Sequence, residues 1–296
     1  MTDTSSFSGP AGEHPFHASN WPRAILRPED ADGSAALSLS WDLTEMSTKE
    51  KKQLIADWCD ALPQLAHVRR LKLWSMATQP LLDAIGRMTG LECLIIKGTN
   101  ASSFEALRRL PSLRYLSIGS STKVDSVEPL AALTTLKILE LENLKKVSDF
   151  SPLVALTGLE SLAVEGAMWA RQEVQSLAPF AAMVWLQSLA LDTSDLESVR
   201  PLASLKGLKS LGIGGRLPME EYAWLAARLP HTQCRWFAPY VPLSLSGIGK
   251  CARCGQQTMV MLTGRRAGNA CLACDKARVD KHVAAFDAAR ASVAYA

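Results

Sequence analysis

The sequence lacks the features that mark membrane and exported proteins. No stretch approaches the ~18 consecutive apolar residues of a transmembrane helix. Residues 1–20 contain neither the basic start nor the apolar stretch of a secretory signal. A formal net charge of only +3 over 296 residues gives no sign of a strongly basic nucleic-acid-binding protein. We therefore expect a soluble protein located in the cytoplasm.

Motifs of the common enzyme classes are missing as well. The sequence contains no glycine-rich phosphate loop, no nucleophile elbow and no helical His-Glu metal motif. None of the five histidines has a second ligand or base at a spacing typical of a catalytic site. The sequence therefore predicts a protein that is not an enzyme.

What the sequence does contain is a repeat. Hydrophobic residues make up 48 % of the chain, and they recur at offsets 0, +3, +6 and +8. The seven frames start at Leu65, Met88, Leu110, Leu133, Leu156, Met183 and Leu205. Offsets +6 and +8 are separated by one residue, which is the period of a strand with one buried face. Because one unit cannot bury its apolar face alone, the pattern predicts stacked units with parallel strands along a concave side.

The second half of each unit repeats too. A proline followed by an apolar residue precedes four of the frames, at Pro129, Pro152, Pro179 and Pro201. Stretches such as KKVSDFSPLVALTGLESLAV, residues 145–164, resemble the short repeats of bacterial leucine-rich-repeat proteins, of which the internalins are familiar members. The resemblance covers residues 61–237 and implies an α/β horseshoe with short helical or 3₁₀ turns on its convex side. Internalins are exposed at the cell surface, so the resemblance carries the fold and not their function.

This chain lacks, in most of its units, the asparagine that follows the strand in that family. The asparagine that usually follows the strand stands at Asn143, with Asn100 in a looser match, and Gly, Ala, Asp or Ser takes its place elsewhere. Extra residues around 168–175 lengthen one unit and fit either a convex helix or a loop.

The pattern divides the chain into four segments. They are a flexible N-terminal segment at 1–30, a strand-and-helix cap at 31–64, the leucine-rich-repeat solenoid at 65–240, and a tail with a metal site and a helix at 241–296. Ser47 and Glu50 have the spacing of a capping box that opens the cap helix. The tail helix has an apolar side formed by Val279, Val283, Phe286 and Val293. This side suits either docking on the same chain or binding of another molecule.

Four of the seven cysteines fall within one short window. Cys251 and Cys254 form one Cys-x2-Cys pair, Cys271 and Cys274 form another, and 16 residues separate the pairs. Such pairs let two tight turns bind one ion, which predicts a tetrahedral sulfur site for Zn²⁺. A closed site of four thiolates has no open coordination position, so we expect one structural zinc ion per chain. The segment 250–275 resembles a zinc ribbon; the alternative is four unligated thiols.

The outward strand positions predict a binding surface on the concave side. Its expected partner-binding residues are Arg70, Lys72, Trp74, Ile95, Lys97, Tyr115, Ile138, Glu140, Glu142, Glu165 and Asp192. Basic and aromatic residues gather at the N-terminal end, acidic residues form a row in the middle, and small residues fill the C-terminal half. Exposed aromatic and aliphatic side chains are typical of interface hot spots. The alternative is a solvated face with a few stray apolar residues.

These features predict a non-catalytic protein-interaction module, an adaptor or an immunity-like protein whose acidic row binds a basic partner. The basic tail offers an alternative function, because residues 245–296 hold eight basic and three acidic residues. In that alternative the tail binds nucleic acid through phosphate contacts at Arg253, Arg265, Arg266, Lys276 and Arg278. The hairpin between the cysteine pairs lacks aromatic residues for base stacking, which favours a protein partner.

Overall fold

A computed structural model describes residues 21–42, 45–167, 170–193, 196–214, 216–243 and 249–292. In this part of the chain, eight strands stack in sequence order into one parallel sheet, and three more form a small antiparallel sheet. The large sheet consists of β1 (Ala36–Leu39), β2 (Arg70–Leu73), β3 (Cys93–Ile96), β4 (Tyr115–Ile118), β5 (Ile138–Glu142), β6 (Ser161–Glu165), β7 (Ser188–Asp192) and β8 (Ser210–Ile213). The small sheet consists of β9 (Tyr240–Pro242), β10 (Met259–Leu262) and β11 (Asn269–Cys271).

Two apolar ladders run across the large sheet. The first aligns a leucine from every strand, beginning with Leu37, Leu71 and Leu94. The second lies two residues further along each strand and contains only Leu, Ile or Val. Both ladders are buried in one continuous core, which is what stacking of one-sided units requires. The predicted leucine-rich-repeat solenoid is therefore confirmed.

Helix α1 (Thr48–Ala61) covers the N-terminal end of the stack. Its capping box is formed, because the Glu50 N–H donates to Ser47 Oγ and the Ser47 N–H donates to the Glu50 carboxylate. Trp58 is fully buried, and its indole N–H donates to the carbonyl of Leu26 at 2.9 Å. Ile25 forms a parallel bridge to β1. The described end of the N-terminal segment thus lies against the cap, whereas residues 1–20 lie outside the described residues.

Short helices and 3₁₀ turns return the chain along the other side of the sheet. They are α2 (Gln79–Ile85), the 3₁₀ turns Glu105–Arg109, Glu128–Ala132, Ser151–Ala155 and Arg200–Ser204, and helix α3 (Ala178–Ala182). The four repeated prolines stand in the first turn of four of these elements. The restricted φ of proline suits a first turn, and its missing N–H is not needed there. The proline repeat therefore marks the convex turns.

The lengthened unit contributes an irregular segment rather than a helix over the described residues 170–175. Gln172 forms a bridge to Thr193 just after β7. The buried Gln172 side chain accepts from the N–H of Leu144 at 2.9 Å and donates to the carbonyl of Val147 at 2.7 Å. These bonds fasten the extra residues to the edge of the sheet. Residues 168 and 169 lie outside the described residues.

The tail is docked on the C-terminal end of the solenoid. Helix α5 (Lys276–Ala291) packs against α4 (Met219–Arg228), the last helix of the solenoid. Phe286 of α5 is 1 % exposed and belongs to the same hydrophobic core as the repeats. The N–H of Arg265 donates to the carbonyl of Leu217 at 2.7 Å. The tail helix therefore uses its apolar side on its own chain, apart from Val293, which lies outside the described residues.

The small sheet joins the two parts of the chain. Strand β9 pairs with β10 and not with the solenoid sheet, and the Thr263 N–H donates to the carbonyl of Pro239 at 2.9 Å. The predicted boundary between residues 240 and 241 falls inside β9. Val279 of α5 packs with Val260 of β10 in a second, smaller core. No helix in the described residues is long and apolar enough to cross a membrane.

Candidate functional site

The four predicted metal ligands meet at one point. The sulfur atoms of Cys251, Cys254, Cys271 and Cys274 all lie within 4.8 Å of one another. The Cys251 and Cys274 sulfurs are 4.0 Å apart, and the Cys254 and Cys271 sulfurs are 3.7 Å apart. A tetrahedral zinc ion with Zn–S bonds of ~2.3 Å requires sulfur–sulfur distances of about 3.8 Å. The arrangement of donor atoms is thus compatible with a zinc site.

Tight turns bring each pair of cysteines together. Gly255 has a φ of 69°, a left-handed conformation that suits glycine, and its N–H donates to the carbonyl of Cys251 at 2.8 Å. In the second turn the N–H of Cys274 points at the Cys271 sulfur at 3.4 Å. Asp275 then connects the two turns, because it pairs with Arg253 and accepts from the N–H of Cys271 at 2.9 Å. The ligands are therefore oriented by a hydrogen-bonded frame.

The thiols of the cluster differ in their pKa values. The Thr258 hydroxyl and the N–H of Cys274 lower the pKa of the Cys271 thiol to about 6. The adjacent Cys254 sulfur, together with burial, raises the pKa of Cys274 to about 12. One thiolate forms readily and opposes the formation of another nearby, since like charges at this distance repel. A bound divalent cation would remove this opposition, so the donor set fits Zn²⁺ on chemical grounds as well as geometry.

The other three cysteines lie far from this cluster in the sequence. Cys93 is fully buried on β3, and burial raises its pKa to about 12. Burial likewise raises the pKa of Cys234 to about 11 and raises that of Cys59. All three thiols are therefore neutral near pH 7 and are poor nucleophiles.

The concave face has a basic and aromatic end. Arg70, Lys72 and Trp74 are consecutive outward positions of β2 and its continuation, and Lys97 follows β3 beside Trp74. The Lys72 ammonium lies 3.9 Å from the centroid of the Trp74 ring and 5.7 Å from that of Trp21. The Trp74 indole N–H donates to the Ser38 hydroxyl at 3.1 Å, which orients the ring. Trp74 nevertheless remains 43 % exposed.

The acidic residues of the concave face form a row, and one of them has an ion-pair partner within the chain. Glu142, Glu165 and Asp192 align across β5, β6 and β7. Asp192 forms an ion pair with Arg171. Glu140, one row away, accepts a hydrogen bond from the Tyr115 hydroxyl at 2.8 Å. Partial burial raises the pKa of the Glu142 carboxyl.

Small residues occupy two neighbouring rows in the C-terminal half of the concave face. Ser161, Ser188 and Ser210 form one row, and Ala163, Ala190 and Gly212 form the next. Ile95 and Ile138, which complete the predicted set, are half-buried on β3 and β5.

The predicted phosphate-binding residues of the tail are largely engaged with their own chain. Arg253 pairs with Asp275, and Lys276 pairs with Asp280 at 2.7 Å. Arg278 donates to the carbonyl oxygens of Ala267 and Asn269. Arg265 and Arg266 are exposed in the turn after β10. Three of the five residues therefore have partners within the chain.

Sequence reasoning missed two residues that shape the concave face. Arg171 lies in the lengthened unit and reaches Asp192 of β7. Trp21 lies before the cap and places its ring over Arg70 and Lys72, at 5.4 and 5.7 Å. Neither belongs to a repeat frame, so periodicity carries no signal for them.

No protein-family model matches the sequence, and no curated protein matches it. Internalin C2 of Listeria monocytogenes is 19 % identical, with a TM-score of 0.45 over 59 % of this chain and 71 % of that one. A second internalin of Listeria monocytogenes is 20 % identical, with a TM-score of 0.44 over 58 % and 54 %. A leucine-rich-repeat protein of Leptospira interrogans is 17 % identical, with a TM-score of 0.40 over 58 % and 50 %.

The fold is that of a leucine-rich-repeat protein. This assignment rests on the parallel order of the eight strands and on the continuous core that they share. The resemblance expected from the repeats is thus confirmed for the leucine-rich-repeat fold. The chain spans only about half the length of the second and third of these proteins.

Proposed function

We propose that this leucine-rich-repeat chain is a non-catalytic scaffold that binds another protein on its concave face. The observation that supports the proposal most is the exposure of Trp74 and Met76, 43 % and 45 %, at the end of β2. They are two of the four large apolar side chains that are exposed among the described residues. Exposed aromatic and thioether groups beside charged residues are typical of binding hot spots.

A partner-capture experiment tests this function. The wild-type chain and a Trp74→Ser variant are immobilised and compared by quantitative mass spectrometry of captured proteins. A matched control is Val184→Ser, because Val184 is 54 % exposed but lies after α3, outside the concave face. We expect a captured protein that is retained by Val184→Ser and lost by Trp74→Ser. Equal capture by all three chains would contradict the proposal.

We further propose that the tail binds one structural zinc ion through Cys251, Cys254, Cys271 and Cys274. Support comes from the sulfur distances and from the hydrogen-bonded turns that orient the ligands. Four protein ligands leave no position for a substrate, so the ion would stabilise the tail rather than act in catalysis. Elemental analysis should find one zinc per wild-type chain and none in a Cys251→Ser/Cys271→Ser variant. A wild-type protein purified without zinc, and unable to take it up, would refute the site.

The tail's position relates the two proposals. Because α5 and the small sheet are docked on the last solenoid helix, the metal site would secure the C-terminal end of the binding scaffold. Solenoids need such covered ends, since the last repeat otherwise exposes its apolar face.

A further inference from the structure

Lys72 of the concave face is unusual for a charged residue because it is almost completely buried. Its side chain is only 9 % exposed, although it projects from the outward face of β2. Its ammonium group lies over two indole rings, and no described carboxylate forms an ion pair with it. Buried ammonium groups are normally paired with a carboxylate, because the charge is costly to remove from water. Burial accordingly lowers the pKa of Lys72.

The surroundings of Lys72 carry further positive charge and an apolar rim. Arg70 lies two residues before it on the same strand, and exposed Lys97 lies beside Trp74 on the neighbouring strand. Trp74 and Met76 are exposed next to this cluster. The acidic row begins only three strands away, at β5. The N-terminal end of the concave face is thus positive and apolar, the reverse of what the acidic row alone suggested.

We propose that Lys72 is the anchor of a subsite that binds an acidic side chain, Asp or Glu, of a protein partner, with an aromatic or aliphatic neighbour of that residue packing on Trp74 and Met76. The proposal rests on the concave-face function proposed above. It reverses the expected charge of the partner, because the acidic row predicts a basic partner whereas Lys72 would bind an acidic side chain. A carboxylate would supply the counter-ion that the described residues do not. The open face of the Trp74 ring and the Met76 thioether would bury the adjoining apolar group.

The stability of a Lys72→Met variant gives the first readout. Methionine keeps the length of the side chain and removes the charge, so the free protein should become more stable. We expect a rise in melting temperature of about 3 °C, because an uncompensated charge leaves the interior of the face. The variant is therefore expected to fold, and a loss of binding would not reflect unfolding. A fall in melting temperature would contradict the idea that Lys72 is an unsatisfied charge.

Binding is tested with a phage-displayed library of random peptides selected on the full chain. Enriched sequences should contain Asp or Glu next to an aromatic or aliphatic residue. The corresponding synthetic peptide should bind Lys72→Met at least about tenfold more weakly than wild type. The matched control is Lys52→Met, an exposed lysine of α1, which should change the dissociation constant less than twofold.

A double-mutant cycle decides whether Lys72 contacts the carboxylate directly. Changing the acidic residue of the peptide to its amide should weaken binding to wild type but not further weaken binding to Lys72→Met. Additive effects would overturn the subsite. Peptides that depend on Trp74 but have no acidic residue would overturn the subsite and leave the concave-face function standing. A library with no peptide that depends on Trp74 or Lys72 would count against both.

Discussion

Two neighbouring residues of β2 face opposite sides of the sheet, one in the core and one on the concave face. Leu73 is fully buried in the second apolar ladder, and its position was predicted from the period of two. Lys72 is nearly as buried, yet it faces the opposite side of the sheet and touches two indole rings. One of these rings, Trp21, lies 51 residues earlier in the chain. The sequence pattern therefore assigned the direction of Lys72 but not its burial.

At the cysteine cluster, Asp275 is the residue that holds the ligands in place without being a ligand. Its carboxylate pairs with Arg253 in the first turn and accepts from the Cys271 N–H in the second. These contacts lower its pKa, with the Arg253 hydrogen bond as the main cause. The carboxylate is therefore charged at neutral pH.

Replacing Asp275 by alanine should weaken zinc binding without abolishing it. We expect a loss in affinity of about 10–100-fold, which is typical when a group that orients metal ligands is removed. Competition with a chromophoric chelator measures the change. Asp287→Ala, on an exposed position of the same helix, is the control and should bind zinc like wild type. An unchanged affinity in Asp275→Ala would show that the turns are oriented without the carboxylate.

Helix α5 connects the tail to the repeats. Its Val279 packs in the small core of the tail, whereas Phe286, two turns later, packs in the core of the solenoid. The sequence indicates an apolar side on this helix but not whether that side contacts this chain or another molecule. Packing against α4 answers that question for the described residues.

The Phe286→Ala variant should destabilise the whole chain rather than the tail alone. Removal of a fully buried phenylalanine leaves a cavity and costs about 3–5 kcal/mol in the free energy of unfolding. Urea unfolding followed by circular dichroism measures the loss. Lys281→Ala, an exposed position of α5, is the control and should change stability by less than about 0.5 kcal/mol. A similar small effect for both variants would mean that α5 contributes little to the solenoid.

The whole molecule is a linear stack closed at both ends. Each strand contacts only its neighbours in the sheet, and α1 covers one end while α4 and the tail cover the other. In such a stack, the stability of the end repeat depends on the element that covers it. Unfolding of an uncovered end repeat then spreads inward from repeat to repeat.

Removal of the metal should therefore loosen the C-terminal repeats first. Zinc that binds only the folded tail stabilises it by mass action, so a chelator should lower the melting temperature by about 5–10 °C. Hydrogen exchange should speed up at the amides of β8, including Leu211, whose N–H donates to the carbonyl of Gln233 at 2.9 Å. The amides of β2 should keep their protection.

If chelation unfolds only the segment after residue 249 and leaves β8 protected, the tail is an independent module attached to a self-sufficient solenoid. The Cys251→Ser/Cys271→Ser variant should reproduce the effect of the chelator, which separates loss of zinc from other effects of the reagent.

The repeated unit, the residues of the two apolar ladders, the proline-marked convex turns and the cysteine pairs can all be predicted from the sequence alone. These features depend on neighbours within one unit, where periodicity and turn chemistry act. Only the tertiary structure decided that Arg171 neutralises Asp192, that Trp21 covers Lys72, and that Phe286 enters the solenoid core. Each of these contacts joins segments outside the repeat frame, and burial and ion pairing between such segments are set by how the chain packs in space rather than by any local pattern.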